Sequence, residues 1–236
     1  MSAPASPRSI PPRRSVTVAG VKASTERLPA ALALDGRVRR GEQSRNAIVG
    51  ALFDLIGGGV LRPTAQQVAD RGGVGIRSVF RHFSEMESLY AAVDARLEGE
   101  AARLLYGGDR SGPLAERARA LVRQRVSLFE RVAPYKRSAN LQRWRSRFIE
   151  GRHLRMQRLL HDDLLAWLPE LAKAPQDLVV AFDLATCFEA WDRLRGDRGL
   201  SPKLATAALE RIALALVRDL DTAPRKSRAK QRAQGT

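Results

Sequence analysis

An all-α fold is predicted by three observations. Apolar residues recur at the 3.6-residue helical period along most of the chain, strand-like alternation is almost absent, and glycine or proline interrupts the periodic runs at helical lengths. At 236 residues the chain is long enough for one or two domains with a sizeable core. No internal repeat stands out.

The elements follow in order. Pro, Ser and Ala crowd the first 36 residues and large apolar side chains are few, so residues 1–40 are expected to form a disordered basic arm. A first helix is predicted over Gln43–Ile56, where Ala47, Ile48, Ala51, Leu52, Leu55 and Ile56 make one stripe and Gly57-Gly58-Gly59 ends it. Thr64, followed three residues later by Gln67, is a capping box that opens a short helix over 65–71. Gly72 and Gly73 stop that helix, since the residue after a helix commonly needs left-handed dihedrals. A second short helix spans about 76–82. Ser84 with Glu87 forms another expected capping box, starting a helix to about Leu105 with Met86, Leu89, Tyr90, Val93 and Leu97 inward.

Further helices are predicted near 114–132, 136–150, 152–168, 175–195 and 202–220, set apart by Pro134, Gly151, Pro169, Pro175 and Pro202. The last two are apolar almost all round, which calls for burial on more than one side. One side faces the core and the other is expected to face a partner subunit. The expected domains are 41–92 and 93–222, with a disordered basic tail over 223–236.

No apolar run approaches the roughly 20 residues that cross a bilayer, and prolines and arginines break up the basic N-terminus, so neither a membrane span nor a secretory signal is expected. Cys187 stands alone in an apolar run and reads as a buried thiol of a cytoplasmic protein. The net charge of +16 is blocked along the chain. Residues 1–36 carry +3, 37–83 +5, 84–116 −4, 117–158 +11, 159–222 −4, and the tail +5. Blocks of positive charge favour a polyanionic partner such as nucleic acid. For the +11 block, a ligand, DNA and solvent all remain open.

Residues 68–83, VADRGGVGIRSVFRHF, carry the functional signal. A phosphate-binding loop is excluded, because no strand precedes the glycines and no lysine stands where a Walker loop needs it. A helix-turn-helix fits better. Ala69 is the small residue at the approach, Val68 and Val74 point inward, and Val79 with Phe83 sits at i, i+4. That spacing turns Arg77 and Arg81 outward, with Ser78 and His82 as a neighbouring outward row, on a helix short enough for a major groove.

From about Gly41 to Val93 the sequence resembles the DNA-binding domain of the TetR (tetracycline-repressor-like) family of bacterial transcriptional regulators. The resemblance rests on Thr64, Val68-Ala69, Gly73-Val74, the run Ser78-Val79-Phe80-Arg81-His82-Phe83, then Ser84, Glu87 and Leu89. It implies an N-terminal three-helix helix-turn-helix DNA-binding domain followed by a helical ligand-binding and dimerisation domain. It further implies a homodimer bound to double-stranded operator DNA, with a small-molecule effector in the C-terminal helices. Carried over, Ile76, Arg77 and Arg81 read bases, Ser78, Phe80 and His82 contact the backbone, and Thr64 at its helix N-terminus meets a phosphate. Three positions depart from the family pattern: Gly75 replaces a turn serine, Phe80 a tyrosine, and Met86 a phosphate-binding lysine. Arg37, Arg39, Arg40 and Arg45 are expected to compensate through counterion release and minor-groove reach.

In the C-terminal region Arg125, Phe129, Trp144, Phe148, Phe182 and Trp191 are candidate pocket residues, although aromatics at helical spacing often fill cores. Leu178, Phe182, Ala185, Ala208, Ile212 and Ala215 are assigned to a four-helix dimer interface. No enzyme is expected, because His82, His153 and His161 form no triad or metal spacing with Cys187 or paired carboxylates. No cofactor, metal or membrane partner is expected either. The expected function is therefore a ligand-released repressor of cytoplasmic, nucleoid-associated location. The alternative is a nonspecific architectural DNA-binding protein acting through its basic tails. Membrane-surface binding by the 117–158 block is a further rival.

Overall fold

The computed structural model describes residues 30–222, with side chains from Val38 onward. Of the disordered arm expected over 1–40, residues 1–29 lie outside the described residues, as does the tail from 223, and residues 30–40 are helical instead. The chain forms two compact units, Met1–Arg40 and Gly41–Thr236. What is described of the first is helical, because α1 spans Ala30–Gly57 and so begins well before the expected Gln43. The run Ala30-Ala31-Leu32-Ala33-Leu34 consists of the strongest helix formers. Pro-rich residues directly before it mask that run in the composition of residues 1–36.

The second unit carries α2 (Ala65–Gly72), α3 (Ile76–His82), α4 (Met86–Tyr106), α5 (Leu114–Asn140), α6 (Arg147–Trp167), α7 (Gln176–Ala185), α8 (Phe188–Asp192) and α9 (Pro202–Thr222). Short 3-10 turns at Arg143–Arg145 and Pro169–Lys173 and a π turn at Arg193–Asp197 join some of them. No strand occurs among the described residues, and the all-α expectation holds. Among those residues no helix is long and apolar enough to cross a membrane.

Three apolar clusters hold the second unit together. The first joins Ile48, Leu52 and Ile56 of α1 to Val68 and Ala69 of α2, Val79 of α3, and Leu89, Val93 and Leu97 of α4. The second gathers the end of α4 with α5, α6, α8 and α9 around Phe129, Phe188 and Trp191. The third packs Leu121, Leu164, Trp167, Phe182 and Val217 from α5, α6, α7 and α9. Burying one such Val, Leu or Phe side chain contributes roughly 1.5–3 kcal/mol. Helix α4 belongs to two clusters, with Leu97 in the first and Leu105 in the second.

Several expected boundaries move. The Ser84–Glu87 capping box does not form: α4 starts at Met86 with Glu85 as its N-cap and no side-chain cap bond. The Glu87 carboxylate instead accepts from the Ser146 hydroxyl. Pro134 lies inside α5 and Gly151 inside α6, so neither ends a helix. A mid-helix proline forfeits one backbone bond. Here Ala133 and Tyr135 on either side of it are buried, and their packing keeps the helix in register. The expected helix over 175–195 breaks at Thr186, whose hydroxyl donates back to the Phe182 carbonyl at 2.8 Å. Cys187 then caps α8, its Sγ accepting from the Ala190 N–H at 3.4 Å.

Candidate nucleic-acid interface and effector cavity

The turn before α3 is built by local chemistry. Thr64 Oγ1 accepts from the Gln67 N–H at 3.2 Å, and the Thr64 N–H donates to Gln67 Oε1 at 2.9 Å, which completes the predicted capping box of α2. The helix ends in a Schellman motif. The Val74 N–H reaches the Ala69 carbonyl at 3.0 Å and the Gly73 N–H reaches Asp70 at 3.3 Å. Gly73 has φ 62°, the left-handed conformation this motif requires. At Gly72 a Cβ would lie 3.3 Å from the Ala47 carbonyl oxygen, so glycine also lets α2 approach α1 closely.

Gly75, the N-cap of α3, has an ordinary extended backbone at φ −69° and open space where a Cβ would stand. No side chain caps that helix. Gly75→Ser is therefore expected to stabilise the fold by about a few tenths of a kcal/mol. A small rise in the urea midpoint checks this, and a fall would contradict it.

On α3, Val79 is buried with Phe83 just beyond it, while Ile76, Arg77, Phe80 and Arg81 are exposed. Phe80 keeps 52% of its surface accessible although it is aromatic. The Arg81 guanidinium donates to Ser78 Oγ at 3.3 Å. Ser78 and His82 are only half-exposed, and His82 Nε2 is buried without a hydrogen-bond partner among the described residues. His82 therefore departs from the expected outward row. It lies three residues after Val79, about 60° around the helix from that buried residue, and leans toward the core. Arg45 of α1 is exposed and stacks its guanidinium 5.2 Å from the Phe83 ring. Thr64 is exposed, but its hydroxyl is engaged by Gln67. Arg39 and Arg40 belong to the first unit and are exposed, and the Arg37 side chain lies outside those described.

A second feature is a cavity of about 370 Å³ between α4, α5 and α6, with Ile56 of α1 and Phe188 of α8 at its walls. That volume is in the range of small-molecule sites. Val93, Leu97, Leu105, Leu128, Phe129 and Met156 make most of it apolar, and Lys136, Arg143, Arg152 and His153 bring cations to it. Lys136 Nζ lies 2.5 Å from His153 Nδ1, and Arg143 Nη1 lies 2.8 Å from His153 Nε2. Burial holds the Lys136 ammonium below its ordinary pKa. Burial, then Lys136 and Arg143, does the same to His153. No local pattern marks this pair, because Lys136 and His153 sit on different helices.

Of the six candidate pocket residues, Phe129 and Phe148 line the cavity. Trp144 is 74% exposed on the 3-10 turn, with Arg145 stacked 4.2 Å from its ring. Trp191 and Phe182 are buried in the second and third clusters. Arg125 is buried as well: its Nη2 donates to the Leu160 carbonyl at 2.6 Å and lies 2.9 Å from Asp163 Oδ2. Residue type points to these four, whereas their positions on the backbone turn Phe182, Trp191 and Arg125 into the core and Trp144 toward solvent.

The assigned interface residues also divide. Phe182 is fully buried and Ala185 nearly so within the chain's own core, which removes both from the expected partner-facing surface. Leu178, Ala208 and Ala215 are half-buried and Ile212 is exposed. The apolar side chains left outside are Val180 and Leu184 of α7 and Leu204 and Ile212 of α9, with Leu184 at 66%. An all-apolar helix carries no phase in its sequence, so the inner and outer rows could not be told apart.

The +11 block is largely neutralised within the chain. Seven of its thirteen basic residues form ion pairs: Arg117–Glu170, Arg123–Glu210, Arg125–Asp163, Arg131–Glu100, Arg137–Asp192, Arg143–Glu150 and Arg152–Asp94. Most of these partners come from the two acidic blocks. His161 pairs with Asp183 at 2.6 Å, and among the described residues no three His, Cys, Asp or Glu side chains gather as a metal site.

The fold is shared with solved regulators. A tetR-family transcriptional regulator from Streptomyces coelicolor superposes with a TM-score of 0.56 at 19% identity, covering 76% of this chain and 91% of that one. A transcriptional regulator from Rhodococcus sp. Rha1 superposes with a TM-score of 0.57 at 21% identity, covering 76% of this chain and 99% of that one. No family model matches the sequence, and no curated protein does.

Proposed function

We propose that the protein is a homodimeric, TetR-type transcriptional regulator, acting as a repressor in the bacterial cytoplasm. It reads a two-fold-related operator through α3 and is released when a small molecule fills the cavity between α4, α5 and α6. The carrying observation is α3 itself, which presents Ile76, Arg77, Phe80 and Arg81 on one exposed face while the Schellman turn and buried Val79 fix its direction. Arginine paired to guanine O6 and N7 is the commonest specific contact in a major groove. The exposed apolar rows of α7 and α9 support pairing of two copies, which a two-fold operator requires.

Release needs an effector that favours the DNA-incompetent state. Helix α4 is the natural carrier, because Tyr90, Val93 and Leu97 line the cavity while the same helix packs against α1 and α3 in the first cluster. Further links cross this region. Ser138 Oγ donates to the Leu61 carbonyl at 2.7 Å, and Arg152 of the cavity pairs with Asp94 of α4.

Selection of bound duplexes from a random pool tests the proposal, with an inverted repeat as the expected result. Recovery of no motif would favour the architectural alternative, whose binding is sequence-independent. The N-terminal arginines enter as a separate prediction. Deleting residues 1–40 is expected to weaken operator binding and to flatten its dependence on salt. An unchanged salt slope would sink that part.

A further inference from the structure

We infer that the cavity between α4, α5 and α6 takes a molecule with an apolar body and one anionic head, the head seated against Lys136 and His153. This rests on the cavity being the effector site. The walls ask for the body, since Val93, Leu97, Leu105, Leu128, Phe129 and Met156 give it little to hydrogen-bond. The polar end asks for the head, through a shortage of acceptors.

Arg143 is a donor only, so its contact at 2.8 Å makes His153 Nε2 an acceptor and puts the ring proton of a neutral imidazole on Nδ1. That N–H then faces Lys136 Nζ at 2.5 Å. An ammonium has three donors and no acceptor, so the two groups oppose each other. Protonating the imidazole only adds to the conflict. Two states relieve it: Lys136 gives up its proton, or an anionic oxygen accepts from both groups.

The other cations at this end are already compensated. Arg143 pairs with Glu150 at 2.9 Å, and Arg152 pairs with Asp94 and lies 3.7 Å from Glu98. Among the described residues no carboxylate forms an ion pair with Lys136, and Glu189 and Glu150 reach it only through space. The Phe188 ring lies 5.8 Å from the ammonium. The lowered pKa of both Lys136 and His153 accords with a centre that lacks its counter-charge. An anionic head reverses that, and a cationic or neutral head does not.

The test is calorimetric titration of the full chain, without DNA, using decanoate and 1-decanol below micellar concentrations. Wild type is expected to bind decanoate roughly tenfold or more tightly than decanol, the step from a neutral to a charge-assisted hydrogen bond. Lys136→Met is expected to abolish that preference while still binding decanol, which reports an intact cavity. Equal binding of the two probes by wild type, a preference retained in Lys136→Met, or no binding of either probe would each overturn the inference. If Lys136→Met fails to fold, the wild-type comparison decides alone. Because no DNA is present, failure here leaves the operator selection standing, and failure of that selection leaves this result standing.

Discussion

Arg77→Ala and Arg81→Ala are each expected to weaken binding to the selected operator by about 1–3 kcal/mol, roughly 5- to 150-fold. The two side chains stand one turn apart on the exposed face of α3, and no carboxylate among the described residues forms an ion pair with either. Among the described residues Arg81 is held by a 3.3 Å contact with Ser78, weak enough to yield to a base edge. Stability is expected to change by no more than about 0.5 kcal/mol, since neither side chain is buried. Fluorescence anisotropy with the operator and with a scrambled duplex separates two roles. A base-reading arginine loses affinity for the operator alone, whereas a phosphate-binding one loses similar affinity on both duplexes and lowers the salt slope. Equal loss on the two duplexes would move the arginines from bases to backbone.

This site was legible in the sequence because its geometry is set by neighbours along the chain. Thr64 and Gln67 meet at N-cap and N3, Gly73 supplies the left-handed residue, and Val79 with Phe83 fixes which face of α3 is buried. Each of those is a contact within five residues. His82 shows where such reasoning ends. Period alone put it outside, but the outer face of a seven-residue helix is narrow, and a residue beside the buried row is drawn inward.

The cavity was less legible for the opposite reason. Its cationic end joins Lys136 of α5 to His153 of α6, and nothing near either residue in sequence marks the other. The +11 block was plain as a sum and opaque as a surface. Arg117, Arg131 and Arg152 find their carboxylates 53, 31 and 58 residues away, so charge that suggested a polyanion is spent on holding helices together. Helix ends that depend on tertiary packing were missed in the same way. Pro134 ends a helix by local rule, and two buried flanking side chains override it.

Asp163→Asn is expected to cost about 3–5 kcal/mol of stability, the largest effect of any single change outside the apolar core. Asp163 is buried on α6 between two arginines, with Arg125 Nη2 at 2.9 Å and Arg110 Nη2 at 2.7 Å. Burial pushes its carboxyl above the usual range, and the two guanidinium groups oppose that. Burial also lowers Arg125 to about 10, which still leaves it charged at neutral pH. An asparagine keeps the shape but strands that charge inside the helices, with the Leu160 carbonyl as its remaining partner. Against a typical total of roughly 5–15 kcal/mol, such a loss moves the unfolding midpoint strongly. Replacing the pair together, as Arg125→Met with Asp163→Leu, is expected to recover most of it, because an apolar pair of similar volume avoids desolvating two ions. Urea denaturation of the single and double variants forms a closed cycle. A single-variant cost below about 1 kcal/mol would mean that the charge is not isolated by the change. Since Leu160 also lines the cavity, the ion pair props the wall that a ligand would press on. Arg125 thereby acts on the cavity from behind, and the anion-seeking role passes to Lys136, which forms no ion pair among the described residues.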